Sequence, residues 1–212
     1  MSNKQERTLI MLIDFEGHPS LGNDELNDTR WSYVRNLVFP SSSGLVRKPS
    51  IVISSHDYDI HHPKIWELES MVKVEDEQGN GLCKWVTISP DDKVSIPDIL
   101  NMVDNRDCVI TPNTPLSPII FGGCNTVGCV SISRAYSAIK WAKQGWYVQI
   151  ILPMCADYQV EGTSTAERNT NAFVDLYNLV KQHDVVEYVD IVSKVSNQFD
   201  WFISDNEGKE NG

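Results

Sequence analysis

The residue best placed by its neighbours to do chemistry is Cys129. An apolar run from Pro118 to Phe121 reaches Gly122 and Gly123, a short polar turn follows, and Cys129 stands at the head of a segment with helical spacing. Strand, glycine turn, thiol and helix together are a way of presenting a nucleophile. A helix start leaves backbone N–H groups unpaired, and its dipole favours negative charge. The spacing therefore predicts a stabilised thiolate, the reactive form of a cysteine. The same N–H groups could hold the oxyanion of a tetrahedral intermediate. The plainer use of such a residue is as a buried, inert cysteine beside a tight packing turn.

A second candidate is Asp14, which ends the apolar run Thr8 to Ile13. A short apolar run between polar flanks reads as a central strand of a parallel sheet. A carboxylate at the carboxyl end of such a strand lies where open α/β sheets place their ligands. Its plainer use is as a turn residue leading into Glu16-Gly-His-Pro19. A third group is His56-Asp-Tyr-Asp-Ile-His-His-Pro63, whose imidazoles and carboxylates are ligands suited to zinc, iron or manganese. Its plainer use is as a solvated loop.

The elements that must position these residues follow from the apolar pattern. Asn23 to Val38 is predicted helical, with Leu26, Trp31, Val34 and Val38 near one face. Ser50 to Ser54 is a second buried strand. Lys64 to Met71 reads as a short helix, and Met71 to Ile88 as a strand pair broken at Gln78-Gly-Asn-Gly81, with Lys84 in its second arm. Asp91 to Met102 reads as a helix and Asp107 to Ile110 as a short strand. After Cys129, the small residues Ser131, Ala135, Ala138 and Ala142 form a stripe suited to lying close on a sheet. Gly145 then gives a stop signal before the strand Tyr147 to Leu152. Thr163 to Asp184 is a long helix and Val185 to Val192 the last strand. Strands alternating with helices predict an α/β fold, three layers with a mainly parallel central sheet. The expected organisation is a single domain over residues 1–204 and a polar, disordered tail over residues 205–212.

Composition narrows the partners. The formal net charge of −11 argues against nucleic acid, which requires a clustered basic face. No apolar stretch approaches the roughly 20 residues that span a bilayer, and residues 1–7 are polar, unlike a signal peptide. The five cysteines are odd in number and contain no CxxC pair, which fits a reducing cytoplasm rather than a disulfide framework. Trp85, Trp141 and Trp146 are candidates for an oligomer interface, although core packing is the commoner use of tryptophan.

Taken together, the strand ending at Asp14 and the segment Gly123-Cys-Asn-Thr-Val-Gly-Cys-Val130 resemble the isochorismatase-like cysteine hydrolases. That family includes nicotinamidases, carbamoylsarcosine amidases and isochorismatases, and its nucleophile region reads roughly G-x-x-T-x-x-C-V. The resemblance implies a Rossmann-like three-layer fold, a homodimer or higher homo-oligomer, and a small-molecule substrate, with no cofactor required. It makes Asp14 the base, Cys129 the nucleophile, and the backbone N–H groups of Asn125 and Cys129 the oxyanion hole. It also implies a cis peptide at Cys124–Asn125. The family's third residue is a lysine after the third strand, for which Lys84 is preferred and Lys93 is the alternative. The K-x-x-x-S-A-F wording around that lysine is absent. Nicotinamidases carry a D-x-H metal motif after the second strand. Here Asp57-Tyr58-Asp59 stands in its place, leaving a divergent divalent-metal site through Asp57, Asp59 and His61.

The resemblance implies cleavage of a small amide or related C–N bond through a thioester. Two alternatives stand beside it. One is a vinyl-ether hydrolase of the isochorismatase type, in which the aspartate supplies a proton and the cysteine is dispensable. The other is a catalytically silent family member that binds or assembles.

Overall fold

The computed structural model describes residues 4–15, 24–38, 49–56, 63–77, 81–90, 93–156 and 165–193. The apolar runs form the strands β1 (Gln5–Ile13), β2 (Ser50–Ser55), β3 (Cys83–Ile88), β4 (Cys108–Ile110), β5 (Ile119–Cys124), β6 (Val148–Ala156) and β7 (Val189–Val192). The helices are α1 (Asp24–Val38), α2 (Pro63–Glu77), α3 (Ile96–Asp104), α4 (Ala138–Ala142) and α5 (Thr165–Gln182). A π-helix, Thr126–Ser133, lies between β5 and α4.

The seven strands form one sheet in the order β3-β2-β1-β5-β6-β7, with β4 paired to β1, and every pairing is parallel. Side chains alternate across it. Leu9, Met11 and Ile13 of β1 enter a core with residues of α3, α4 and α5, including Ile99, Trp141 and Leu176. Ile10 and Leu12 enter the opposite core with residues of α1 and α2, including Val34 and Leu68. A strand buried on both faces must be apolar at successive positions, which accounts for the unbroken run of β1. Three layers with a mainly parallel sheet is the expected α/β architecture.

The strand order places the site. From β1 the chain moves outward one way through β2 and β3, and then outward the other way through β5, β6 and β7. β1 and β5 are thus adjacent strands whose following segments depart to opposite sides. The crevice beyond their carboxyl ends is where sheets of this kind bind ligands.

Several sequence expectations change. Met71 to Ile88 is no strand pair. α2 continues to Glu77, burying Ile65, Leu68 and Val72 at helical spacing, with a Glu69–Lys73 ion pair of 2.9 Å one turn apart. β3 then runs parallel to β2. The segment after Cys129 is no continuous helix either. It breaks at Arg134, whose backbone is extended (φ −76°, ψ 151°). The break leaves Ala135 of the small-residue stripe exposed, while Ser131, Ala138 and Ala142 are buried. Trp141 lies fully in the core with Trp146 edge-on to it at 5.4 Å, a packing use of both rings. The last strand begins at Val189. Among the described residues, no helix is long and apolar enough to cross a membrane. The tail over residues 205–212 falls outside the described residues.

Candidate active site

Asp14 follows directly on β1 and has a left-handed backbone, φ 48°. Aspartate is among the few residues that tolerate this region, at a cost of order 1–3 kcal/mol that the surroundings must enforce. They do so on several sides. The Phe15 N–H donates to the Ser55 carbonyl at 3.3 Å, and the buried Phe15 ring meets Trp31 edge-on at 4.7 Å. The carboxylate is held too. Ser55 Oγ donates to Asp14 Oδ1 at 3.3 Å, and Arg134 donates to Oδ2 from Nε at 3.1 Å and from Nη2 at 2.7 Å.

β5 comes close to this point because of its glycines. Gly123 has φ 147°, and a Cβ there would stand 1.9 Å from the Ile13 carbonyl oxygen. Gly122 faces Met154 less tightly, with a Cβ there 2.9 Å from the Met154 Cβ. Glycine is the residue that permits both the conformation and the approach. Past Cys124 the chain turns through Asn125, also left-handed at φ 58°, whose Oδ1 accepts from the Gly128 N–H at 2.9 Å. A side chain at Gly128 would strike that amide, since its Cβ would lie 2.5 Å from Asn125 Nδ2 and Oδ1. No cis peptide occurs among the described residues, so the cis bond expected at Cys124–Asn125 is trans. The left-handed Asn125 makes the turn instead.

Cys129 lies in the first turn of the π-helix, one residue ahead of Val130, whose N–H donates to the Asn125 carbonyl at 3.2 Å. The first N–H groups of a helix have no carbonyl partner within it. π-helical turns are uncommon and recur at functional sites. The buried Ser131 hydroxyl bonds the Thr126 carbonyl five residues back, matching the π register.

The thiol itself departs from the sequence expectation. Its pKa is raised to about 11, first by burial, then by its hydrogen bond to Asp14 and the carboxylate's charge, with a smaller contribution from Cys124. The Arg134 charge opposes the rise. The helix start alone argued for a thiolate. The low-dielectric setting and the nearby carboxylate outweigh it, so the resting group at neutral pH is a thiol beside a carboxylate.

Behind Asp14, the Ser55 hydroxyl also bonds the phenol of Tyr136 at 2.8 Å. Tyr136 is buried, and burial raises its pKa against the opposing Ser55 hydrogen bond. For Arg134, burial works against the charge, but the Asp14 hydrogen bond and charge outweigh it and keep the guanidinium protonated. Its Nη1 donates to the Pro90 carbonyl at 3.0 Å, tying the loop after β3 to the site.

Thus the fold brings Asp14, Asn125 and Cys129 together and leaves Lys84 apart. Lys84 pairs with Ile51, whereas the strand end at Ile88 pairs with Ser55 and Ser55 with Ile13. Lys84 is therefore four residues down β3 from the site end, about 13 Å at the strand rise of roughly 3.3 Å per residue. Its ammonium pairs with Asp76 of α2. Lys93 is exposed on the link from β3 to α3. The triad lysine assignment to Lys84 is therefore corrected: the cation on Asp14 is Arg134. Asp57, Asp59 and His61 lie outside the described residues, and no group of three or more metal-ligating side chains is assembled among the described ones.

Arg134, Ser55 and Tyr136 are the site residues that the sequence reading missed. The one available signal was that Arg134 is the first charged residue after Cys129, within a run of small and apolar residues. No protein-family model matches the chain, and no curated protein matches it.

Proposed function

We propose that this chain is a hydrolase of small molecules that cleaves an amide or related C–N bond, with Asp14 as base and Cys129 as nucleophile. The observation that carries the proposal is the placement of the Cys129 thiol beside the Asp14 carboxylate, close enough for the carboxylate to raise the thiol's pKa, at the switch point of the sheet. The motif resemblance around Gly123–Val130 supports the same class.

In this reading Asp14 takes the thiol proton as sulfur attacks the substrate carbonyl carbon. A thiol with a pKa of about 11 needs such a base, so the step is general-base activation rather than attack by a standing thiolate. The oxyanion is held by the N–H groups of Cys129 and Asn125. The tetrahedral intermediate collapses, the C–N bond breaks, and the amine leaves with the proton from Asp14. Water, deprotonated by Asp14, then attacks the thioester. The acid departs and the thiol is restored.

A panel of small primary amides, ureas and carbamates assayed for ammonia release tests this. The expected result is turnover of at least one member by the wild type and its loss in Asp14→Asn. Undiminished turnover by Asp14→Asn contradicts the reading. A second reading, the vinyl-ether hydrolase, draws on the raised thiol pKa, because there the aspartate acts as a proton donor and the sulfur need not ionise.

A further inference from the structure

We infer that Arg134 is the cation of this site: a positioning residue that fixes the Asp14 carboxylate and supplies the positive charge which the resemblance assigns to a lysine. The inference rests on the proposed hydrolase reading for its chemical meaning, but its geometry is independent of any substrate.

Three observations converge on it. First, the contact is specific. Nε and Nη2 both reach Oδ2 of Asp14, and Nη1 is bound to the Pro90 carbonyl. The planar guanidinium is thereby pinned at two points, which a single ammonium could not reproduce. With Ser55 on Oδ1, both carboxylate oxygens are held, beside the Cys129 thiol whose ionisation they influence. Second, the backbone is shaped for it. The π-helix ends at Ser133 and Arg134 is extended, whereas an uninterrupted helix would carry position 134 onward with its own turn. The Ser137 hydroxyl and N–H both bond the Arg134 carbonyl, at 2.8 and 3.2 Å, securing the break before α4 starts. Third, the position expected for a lysine is not used. Lys84 lies toward the other end of the sheet with Asp76 as its partner.

A cation in this place acts on both groups it faces. It compensates a carboxylate that is only 15% exposed. It also favours ionisation of Cys129 against burial, Asp14 and Cys124, so the negative charge that sulfur develops during attack is partly balanced. Tyr136 also feels the charges of Asp14, Arg134 and Cys129. An arginine keeps its charge at any working pH, so Arg134 takes no part in proton exchange between Asp14 and Cys129.

The test reads thiol reactivity and requires no substrate. The rate of iodoacetamide labelling at Cys129 is followed from pH 7 to 11 by fragment-resolved mass spectrometry. In Arg134→Gln the labelling at pH 9 falls about ten-fold, the change in thiolate fraction made by one pKa unit well below the midpoint. In Arg134→Lys, which keeps the charge and loses the fork, it falls by less than in Arg134→Gln. Where Arg134→Gln does not fold, the comparison is made between Asp14→Asn and Asp14→Asn/Arg134→Gln, which strands no carboxylate, and the double variant labels more slowly. Labelling in Arg134→Gln, or in the double variant, that matches or exceeds its reference overturns the assignment. Failure of the amide panel leaves this result standing, and failure here leaves the panel to decide the chemistry.

Discussion

Arg134 donates twice to the same carboxylate oxygen of Asp14, from Nε at 3.1 Å and Nη2 at 2.7 Å, across the gap between two strand ends. Both members of that pair act on the neighbouring Cys129 thiol, the carboxylate against its ionisation and the guanidinium in favour of it. The acid, the thiol and the cation come from the end of β1, the π-helix after β5 and the break that terminates it. No one of these segments forms the site alone.

Removing the carboxylate should make Cys129 more reactive as a thiol while abolishing turnover. Asp14 raises the Cys129 pKa through its hydrogen bond and its charge. Asp14→Asn therefore lowers the labelling midpoint from about 11, though burial keeps it above that of a free cysteine. Faster labelling by iodoacetamide at pH 8 is the expected outcome. Slower labelling would show that Asp14 assists ionisation at rest.

Stability should carry the signature of the protonated thiol. The folded pKa of Cys129 is raised from 9.0 to about 11, so the folded state binds the proton more tightly than the unfolded chain. This contribution is fully present below pH 9 and is lost as the pH rises towards 11. The urea midpoint should fall across that window more steeply in the wild type than in Cys129→Ser. Because Tyr136 is also raised and titrates nearby, the difference between the two proteins is the informative quantity.

Gly123→Ala should be among the most damaging single changes. The new Cβ meets the Ile13 carbonyl oxygen at 1.9 Å, a backbone atom that cannot swing aside, and φ 147° is strained for alanine. A loss on the order of 3 kcal/mol or more is expected in chemical denaturation. A loss below about 1 kcal/mol would mean that β1 and β5 separate easily at the site.

Lys84→Met should leave the site untouched. The Lys84–Asp76 pair is partly exposed on both sides, and such pairs contribute at most about 1 kcal/mol. The pH profile of Cys129 labelling should superimpose on that of the wild type. A displaced profile would return Lys84 to the site.

The sheet was legible because its central strands are buried on both faces and carry unbroken apolar runs, Leu9 to Ile13 in β1 and Ile51 to Ile53 in β2. Asp14 and Cys129 were legible for a related reason, since each ends or follows such a run. Gln78-Gly-Asn-Gly81 misled because it has the composition of a hairpin turn, while the residues before it, Lys73 to Glu77, form the last turn of α2, none of it buried. Lys84 misled because sequence distance does not tell which end of a strand a residue occupies, and four residues are enough to carry it to the far side. Arg134 was illegible for a deeper reason. Its place depends on a π-helix and a break that no apolar periodicity records, and both arise from tertiary contacts such as the fork to Asp14.

The most direct test of the nucleophile is the rate of ammonia release by Cys129→Ala on an amide that the wild type hydrolyses. An attacking sulfur predicts a loss of about 1,000-fold or more, since the general base would have only water to activate. Turnover retained within a few-fold of wild type would contradict it and leave Asp14 as the acid–base group of a hydrolase that needs no thiol.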